Sequence, residues 1–208
     1  MRIGVLALQG AFIEHHKMLA LLGVDVVEVR LPHHLHGLDG LIIPGGESTT
    51  MGKVARQWGL LEPLRTVGES ETPIWGTCAG LIFIAKEVTD GIPGQPLLNL
   101  MDITVRRNAF GRQVDSFEAD LEVPQLGEKP FHSVFIRAPL IERVGPDVEV
   151  LARLDDGTIV AAQEETLLAT AFHPELTVDD RFHRYFLELC QGVRIQMTAS
   201  GEVEGQPA

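Results

Sequence analysis

The chain has 208 residues, 45% hydrophobic and 22% charged, with 29 acidic against 17 basic side chains and a formal net charge of −12. That length supports one domain with a sizeable core, and that balance excludes a disordered chain. An acidic chain without a Lys/Arg cluster excludes nucleic acid and anionic membrane as expected partners.

Residues 2–8 read as a buried strand, broken by Gly10. The run is too brief for a signal core or a membrane span, so cytoplasm is the expected compartment. Residues 12–22 carry Phe12, Leu19 and Leu22 at helical spacing, with Gly23 in the C′ role. In that helix His15-His16 reads as the polar face. Residues 24–29 form a second strand and 40–43 a third, stopped by Pro44-Gly45-Gly46. Helices are predicted over 48–59 and 61–67. A strand then ends in Gly76-Thr77-Cys78-Ala79-Gly80, and the apolar run from Leu81 continues as a helix. Such β-α-β-α order predicts an α/β domain, three-layered, with a mostly parallel doubly wound sheet.

The second half carries short strand candidates at 103–105, 117–123, 133–138, 148–154, 158–163 and 167–172, with a hairpin signal at Asp156-Gly157. These are expected to add antiparallel segments to one side of the sheet. A last helix is predicted over 178–190, with Phe182, Phe186 and Leu189 on one face. The domain is set at 1–191, and the small, polar stretch 192–208 reads as a flexible tail.

Gly76-Thr77-Cys78-Ala79-Gly80 has the form of a nucleophile elbow: strand, sharp turn bearing the reactive residue, helix. Its glycines suit strained backbone and close packing, and a thiol beside a helix N-terminus is favoured as thiolate. A thiolate nucleophile needs a base, and the base needs an orienting group. Of the eight histidines, His173 follows an apolar strand in Phe172-His173-Pro174-Glu175, so Glu175 can fix its tautomer. Pro44-Gly45-Gly46-Glu47-Ser48 also follows a strand. It can form an anion nest or oxyanion hole, or be a plain turn with Ser48 as N-cap. Arg107 and Arg137 suit capture of a carboxylate, although each alone reads more readily as a solvated surface charge. His33-His34-Leu35-His36 lacks acidic or Cys partners at ligand spacing, so no metal is expected.

On these residues the chain resembles the class I (triad) glutamine amidotransferases, whose fold is flavodoxin-like. More narrowly it resembles the glutaminase subunits of pyridoxal 5′-phosphate synthases of the deoxyxylulose-5-phosphate-independent route. The resemblance covers about residues 2–190. It rests on residues 4–11, on Pro44-Gly45-Gly46-Glu47-Ser48-Thr49-Thr50-Met51, on the elbow, on 107–118, on Phe135-Ile136-Arg137-Ala138-Pro139 and on Phe172-His173-Pro174-Glu175-Leu176. It implies Cys78 as nucleophile, His173 as base and acid, and Glu175 as orienter. It implies L-glutamine bound at Gly46, Glu47, Ser48, Arg107, Ile136 and Arg137, with the oxyanion at Gly46 and Ala79. It further implies no cofactor, and a synthase subunit as partner in a multi-subunit complex. Gln9, Gly10 and Gly45 are the expected gating positions at that interface. The alternatives are a glutaminase subunit of another synthase, such as that for imidazole glycerol phosphate, and a non-catalytic regulatory subunit. A free cysteine peptidase is disfavoured, because nothing suggests a peptide groove.

Overall fold

The computed structural model describes residues 1–107 and 116–201, and of 193–201 the backbone alone. The Asn-Ala-Phe-Gly-Arg-Gln stretch at 108–113 lies outside the described residues. The chain forms β1 (Arg2–Leu6), α1 (Phe12–Leu21), β2 (Asp25–Val29), β3 (Gly40–Ile43), α2 (Ser48–Gln57), α3 (Leu61–Glu69), β4 (Ile74–Thr77) and α4 (Ala79–Ile84). It continues with β5 (Ala85–Thr89), β6 (Met101–Arg106), β7 (Ser116–Leu121), β8 (Phe131–Ile136), β9 (Leu140–Val144), β10 (Glu149–Arg153), β11 (Ile159–Glu164), β12 (Leu167–Thr170) and α5 (Arg181–Gly201).

The main sheet has the order β2-β1-β3-β4-β12-β11-β9-β6-β5, with β10 on β11. Strands β2, β1, β3, β4 and β12 run parallel. Every residue of β3, β4 and β12 is buried, as expected for parallel strands covered on both faces. Successive strand residues face opposite ways. Trp75 packs on Phe182 and Phe186 of α5 and on His15 of α1. Its neighbour Gly76 lies against Gly80 of α4, so helices cover both sides.

The second half departs from expectation in three ways. The added strands do lie on one side, beyond β4, but β12 joins β4 in parallel, and antiparallel pairing begins only with β11 and β9. β7 and β8 leave the sheet and form a separate antiparallel hairpin, where the Phe117 and Phe135 rings stack at 4.5 Å. The last helix does not stop at Cys190 but continues to Gly201, and residues 202–208 lie outside the described residues. On α5 the buried positions are Phe182, His183, Phe186 and Cys190, whereas Leu189 is only partly buried.

Parallel pairing fixes where chemistry can occur. Ile43 is level with Gly76, and Thr170 with Thr77. The segments leaving β1, β3, β4 and β12 therefore emerge along one edge of the sheet, at the carboxyl ends of the strands.

Candidate active site

Cys78 sits between β4 and α4 at φ 48° and ψ −100°, a strained conformation for a residue with a side chain. The elbow is forced by its glycines. A Cβ on Gly80 would stand 1.9 Å from the Ile43 carbonyl oxygen, and one on Gly76 would stand 2.6 Å from the Gly80 backbone. The Cys78 N–H donates to the Thr170 carbonyl at 2.8 Å, which ties the elbow to β12. Ala79 begins α4, where the first N–H groups have no partner inside the helix. Sγ lies 3.9 Å from the Ile136 carbonyl oxygen at the end of the β7–β8 hairpin.

His173 follows β12 and is anchored by its N–H to the Val134 carbonyl at 2.8 Å. Its Nδ1 meets Glu175 Oε1 at 2.7 Å, with the carboxylate side chain wholly buried. Nε2 is the ring nitrogen left over, and Cys78 lines the same cavity as His173. Burial alone would strip the proton from His173. Hydrogen bonds to Cys78 and Glu175 outweigh it and push the imidazole up to about 10. Burial likewise opposes the charge of Glu175, but His15 and His173 hold its carboxyl below the usual range. The arrangement is a thiol, an imidazole and an orienting carboxylate in line.

The loop after β3 closes the other side. A Cβ on Gly45 would stand 2.4 Å from His173 Cε1, so the backbone runs directly over the imidazole. Glu47, not Ser48, caps α2. Its carboxylate accepts from the Thr49 and Thr50 N–H groups at 3.0 and 2.7 Å, and from the Thr50 hydroxyl at 2.7 Å. Partial burial works against its charge, yet these hydrogen bonds bring the carboxyl down to about 2. Glu47 also pairs with Arg107 at 3.2 Å. Arg107 further donates to Thr49 Oγ1 at 3.2 Å and to Gln95 Oε1 at 3.1 Å, while the Gln95 amide donates to Ser48 Oγ at 3.1 Å. Gln95 thus fixes both a loop hydroxyl and the arginine, a role its sequence context did not signal.

A cavity of about 380 Å³ opens between these pieces. Gly46, Glu47, Ser48, Cys78, Ala79, Arg107, Ile136, Arg137 and His173 all line it, as does Gln9. Ile82 and Pro139, not expected from the sequence, supply apolar wall. Arg137 is held at φ 43° beside it. Gly10 and Gly45 lie behind the wall. Gly10, at φ 88°, presses so closely on the Gly45 carbonyl that a Cβ there would fall 1.8 Å from its oxygen. Ala11 N–H donates to that oxygen at 3.1 Å, and Gln9 Nε2 donates to the Glu47 carbonyl at 3.1 Å. The expected interface positions therefore touch the Gly45–Gly46 loop directly.

His15 is not on a polar face. It is fully buried, with Nδ1 at 3.0 Å from His183 Nε2 and Nε2 at 3.3 Å from Glu175 Oε2. The histidines of the 33–36 loop serve local structure: His34 Nδ1 accepts from the Arg30 N–H, and the His33 and His34 rings pack edge to face.

Comparison with known proteins agrees with this geometry. The model of the SNO glutamine amidotransferase family matches residues 5–192. The pyridoxal 5′-phosphate synthase subunit PdxT of Herpetosiphon aurantiacus is 64% identical over 190 residues, covering 91% of this chain and all 100% of its own. The subunit of the same name from Dehalococcoides mccartyi is 59% identical over 191 residues, covering 92% and 98%. A solved crystal structure described as a glutamine amidotransferase is 54% identical, with a TM-score of 0.85, over 91% of this chain and 98% of that one.

Proposed function

The chain belongs to the SNO glutamine amidotransferase family, and from that premise we propose that it is the glutaminase subunit of a pyridoxal 5′-phosphate synthase. It hydrolyses L-glutamine to glutamate and ammonia and passes the ammonia to a synthase subunit, which builds the ring from a pentose phosphate and a triose phosphate. Relatives that carry the name PdxT over nearly their whole length support this reading. The observation that carries the chemistry is the buried His173–Glu175 pair beside Cys78 at the elbow.

The Cys78 thiolate attacks the side-chain carboxamide carbon of glutamine. The oxyanion that forms is held by backbone N–H groups of Gly46 and Ala79. His173 gives its proton to the departing ammonia, leaving a γ-glutamyl thioester on Sγ. Water then attacks the thioester with His173 as base, and glutamate leaves. Arg107 and the Ile136-Arg137 segment hold the amino-acid end, with Gly46, Glu47 and Ser48 along the loop. The Glu47 carboxylate is taken up by its cap and by Arg107, so its contribution to substrate is through the backbone. Ammonia released into neutral water would be protonated and no longer nucleophilic, hence the direct transfer.

The glutaminase domain is residues 1–191, in keeping with the family match over 5–192, and 192–208 is a tail outside it. We place the protein in the cytoplasm. Among the described residues no helix is long and apolar enough to cross a membrane.

Glutamate release with and without the synthase subunit tests this reading. The isolated chain is expected to be slow. The partner should raise the rate at least tenfold, about 1.4 kcal/mol of barrier, within the worth of one oxyanion donor. Gln9→Ala should blunt that stimulation, since Gln9 touches the Gly46 backbone and the Glu47 carbonyl. Cys78→Ala should abolish release in either setting. Near-normal release from Cys78→Ala would overturn the assignment, and a full rate from the chain alone would overturn the gating.

A further inference from the structure

The line of groups behind Cys78 does not stop at Glu175. Glu175 Oε1 is taken by His173, and Oε2 is sealed from solvent with no well-formed hydrogen bond. His15 Nε2 lies 3.3 Å from Oε2. An unsatisfied buried carboxylate oxygen is costly, so the state of His15 matters to the triad.

The proton positions on this chain can be worked out. Burial holds both His15 and His183 below the usual imidazole range, so each is neutral and carries one proton. If His15 kept its proton on Nδ1, Nε2 could accept from the Thr77 hydroxyl at 3.3 Å but would still turn a lone pair toward the carboxylate. With the proton on Nε2, His15 presents an N–H to Glu175 Oε2 at 3.3 Å and offers the Nδ1 lone pair to His183 Nε2 at 3.0 Å. His183 must then carry its own proton on Nε2. Its Nδ1 is left as a lone pair without a partner, which costs less than a stranded N–H would. Thr77 Oγ1, also 3.3 Å from His15 Nε2, shares that proton with Oε2. The ionisable groups facing His15 are Glu175, His173 and His183, together with Glu14 on its own helix.

We infer that His15 is a positioning residue for the triad: its Nε2–H holds the second oxygen of Glu175, and His183 fixes the tautomer that makes this possible. The inference rests on the reading of Cys78, His173 and Glu175 given above. The two histidines come from α1 and α5, the helices that cover the face of the sheet away from the elbow helix. Aim and charge of Glu175 are thus set from elements that never touch substrate.

Three variants at one position separate positioning from packing, assayed with the full chain bound to its synthase subunit. His15→Phe keeps the volume and removes both nitrogens. His15→Gln can place an amide N–H where Nε2 stands, and His15→Asn reaches only the Nδ1 site. We expect His15→Phe and His15→Asn to lower kcat about 10- to 100-fold, the usual cost of an outer-shell partner. The KM for glutamine should stay within about twofold, since His15 does not line the cavity. His15→Gln should recover most of kcat. Wild-type kcat in His15→Phe, or equal losses in the Gln and Asn variants, would overturn the inference. Nitrogen NMR of the imidazoles in the unmutated complex reads the tautomers even if a variant fails to fold. Protons on Nε2 of both rings are expected, and a proton on Nδ1 of His15 would overturn the inference. Cys78→Ala in the same assay guards the premise: if it stays active the triad reading fails, and if it is dead while His15→Phe is normal only the present inference fails.

Discussion

Gly45→Ala puts one methyl group where the loop crosses the His173 imidazole. The new Cβ would lie 2.4 Å from His173 Cε1 and 3.0 Å from Nδ1, whereas ordinary contact begins near 3.4 Å. Something must move by roughly 1 Å. The loop cannot retreat, because the Gly45 carbonyl is pressed against Gly10 and bonded to the Ala11 N–H. The imidazole therefore gives way, turning its Nε2 off the thiol while Glu175 pulls at Nδ1. A 1 Å misplacement of a catalytic group costs about 100-fold in rate, or about 2.7 kcal/mol. Overpacking should also cost about 1–3 kcal/mol of stability. The assay is glutamate release by the variant bound to its synthase subunit, alongside a thermal melt to establish that it is folded. Gly192→Ala is the control: among the described residues nothing beyond its own helix lies within 4 Å of that Cβ, and in a helix the change should add up to about 1 kcal/mol of stability at unchanged rate. A folded Gly45→Ala enzyme with kcat within about threefold of the parent would refute the reasoning.

Arg107→Lys should raise the KM for glutamine about tenfold or more with a smaller change in kcat, since a point charge cannot span Thr49, Gln95 and Glu47 as the guanidinium does. Gln95→Ala should shift KM in the same direction by less, and steady-state kinetics on both would expose an error in this account of the loop. A glutamine-like electrophile should label Cys78 long before Cys190: burial and the nearby Asp39 push the Cys190 thiol up, and it is 1% exposed. Peptide mapping that found Cys190 modified first in folded protein would contradict this. Stability should fall as pH drops through about 6.5, by up to about 1.4 kcal/mol per pH unit for each of His15 and His183. The sign follows because burial keeps both below the usual imidazole range when folded, so only the unfolded chain takes up protons in that window. Urea unfolding that is flat between about pH 7 and pH 5 would rule it out.

Much of the first half was legible because its strands are short apolar runs cut by glycine. Gly23, at φ 75°, ends α1 as its spacing required. The elbow was legible because two close backbone approaches leave no alternative to glycine at positions 76 and 80. β5 was not, since exposed Lys86 and Glu87 follow an apolar run that reads as more helix. β9 has one buried residue, Ile141, and exists through its neighbours. The place of β12 could not be read either, because parallel pairing across nearly half the chain leaves no local trace. His15 is the instructive error. Positions 12, 15, 19 and 22 form one helical stripe, so the spacing already placed it on the apolar side. Reading histidine as polar overrode the periodicity.

The insertion of β12 between β4 and β11 has a consequence for synthesis of the protein. β1, β2, β3, β4 and α1 to α4 all leave the ribosome before β12 is made, and until then β4 has an unpaired edge although every one of its residues is destined for burial. Its closing strand arrives only after the whole intervening region has been made, a non-local pairing of the kind that slows folding and exposes edges to aggregation. The same late strand delivers His173 and Glu175 to a cysteine placed long before. On the proposed mechanism, a nascent chain that stalls before residue 173 holds the Cys78 thiol without its base.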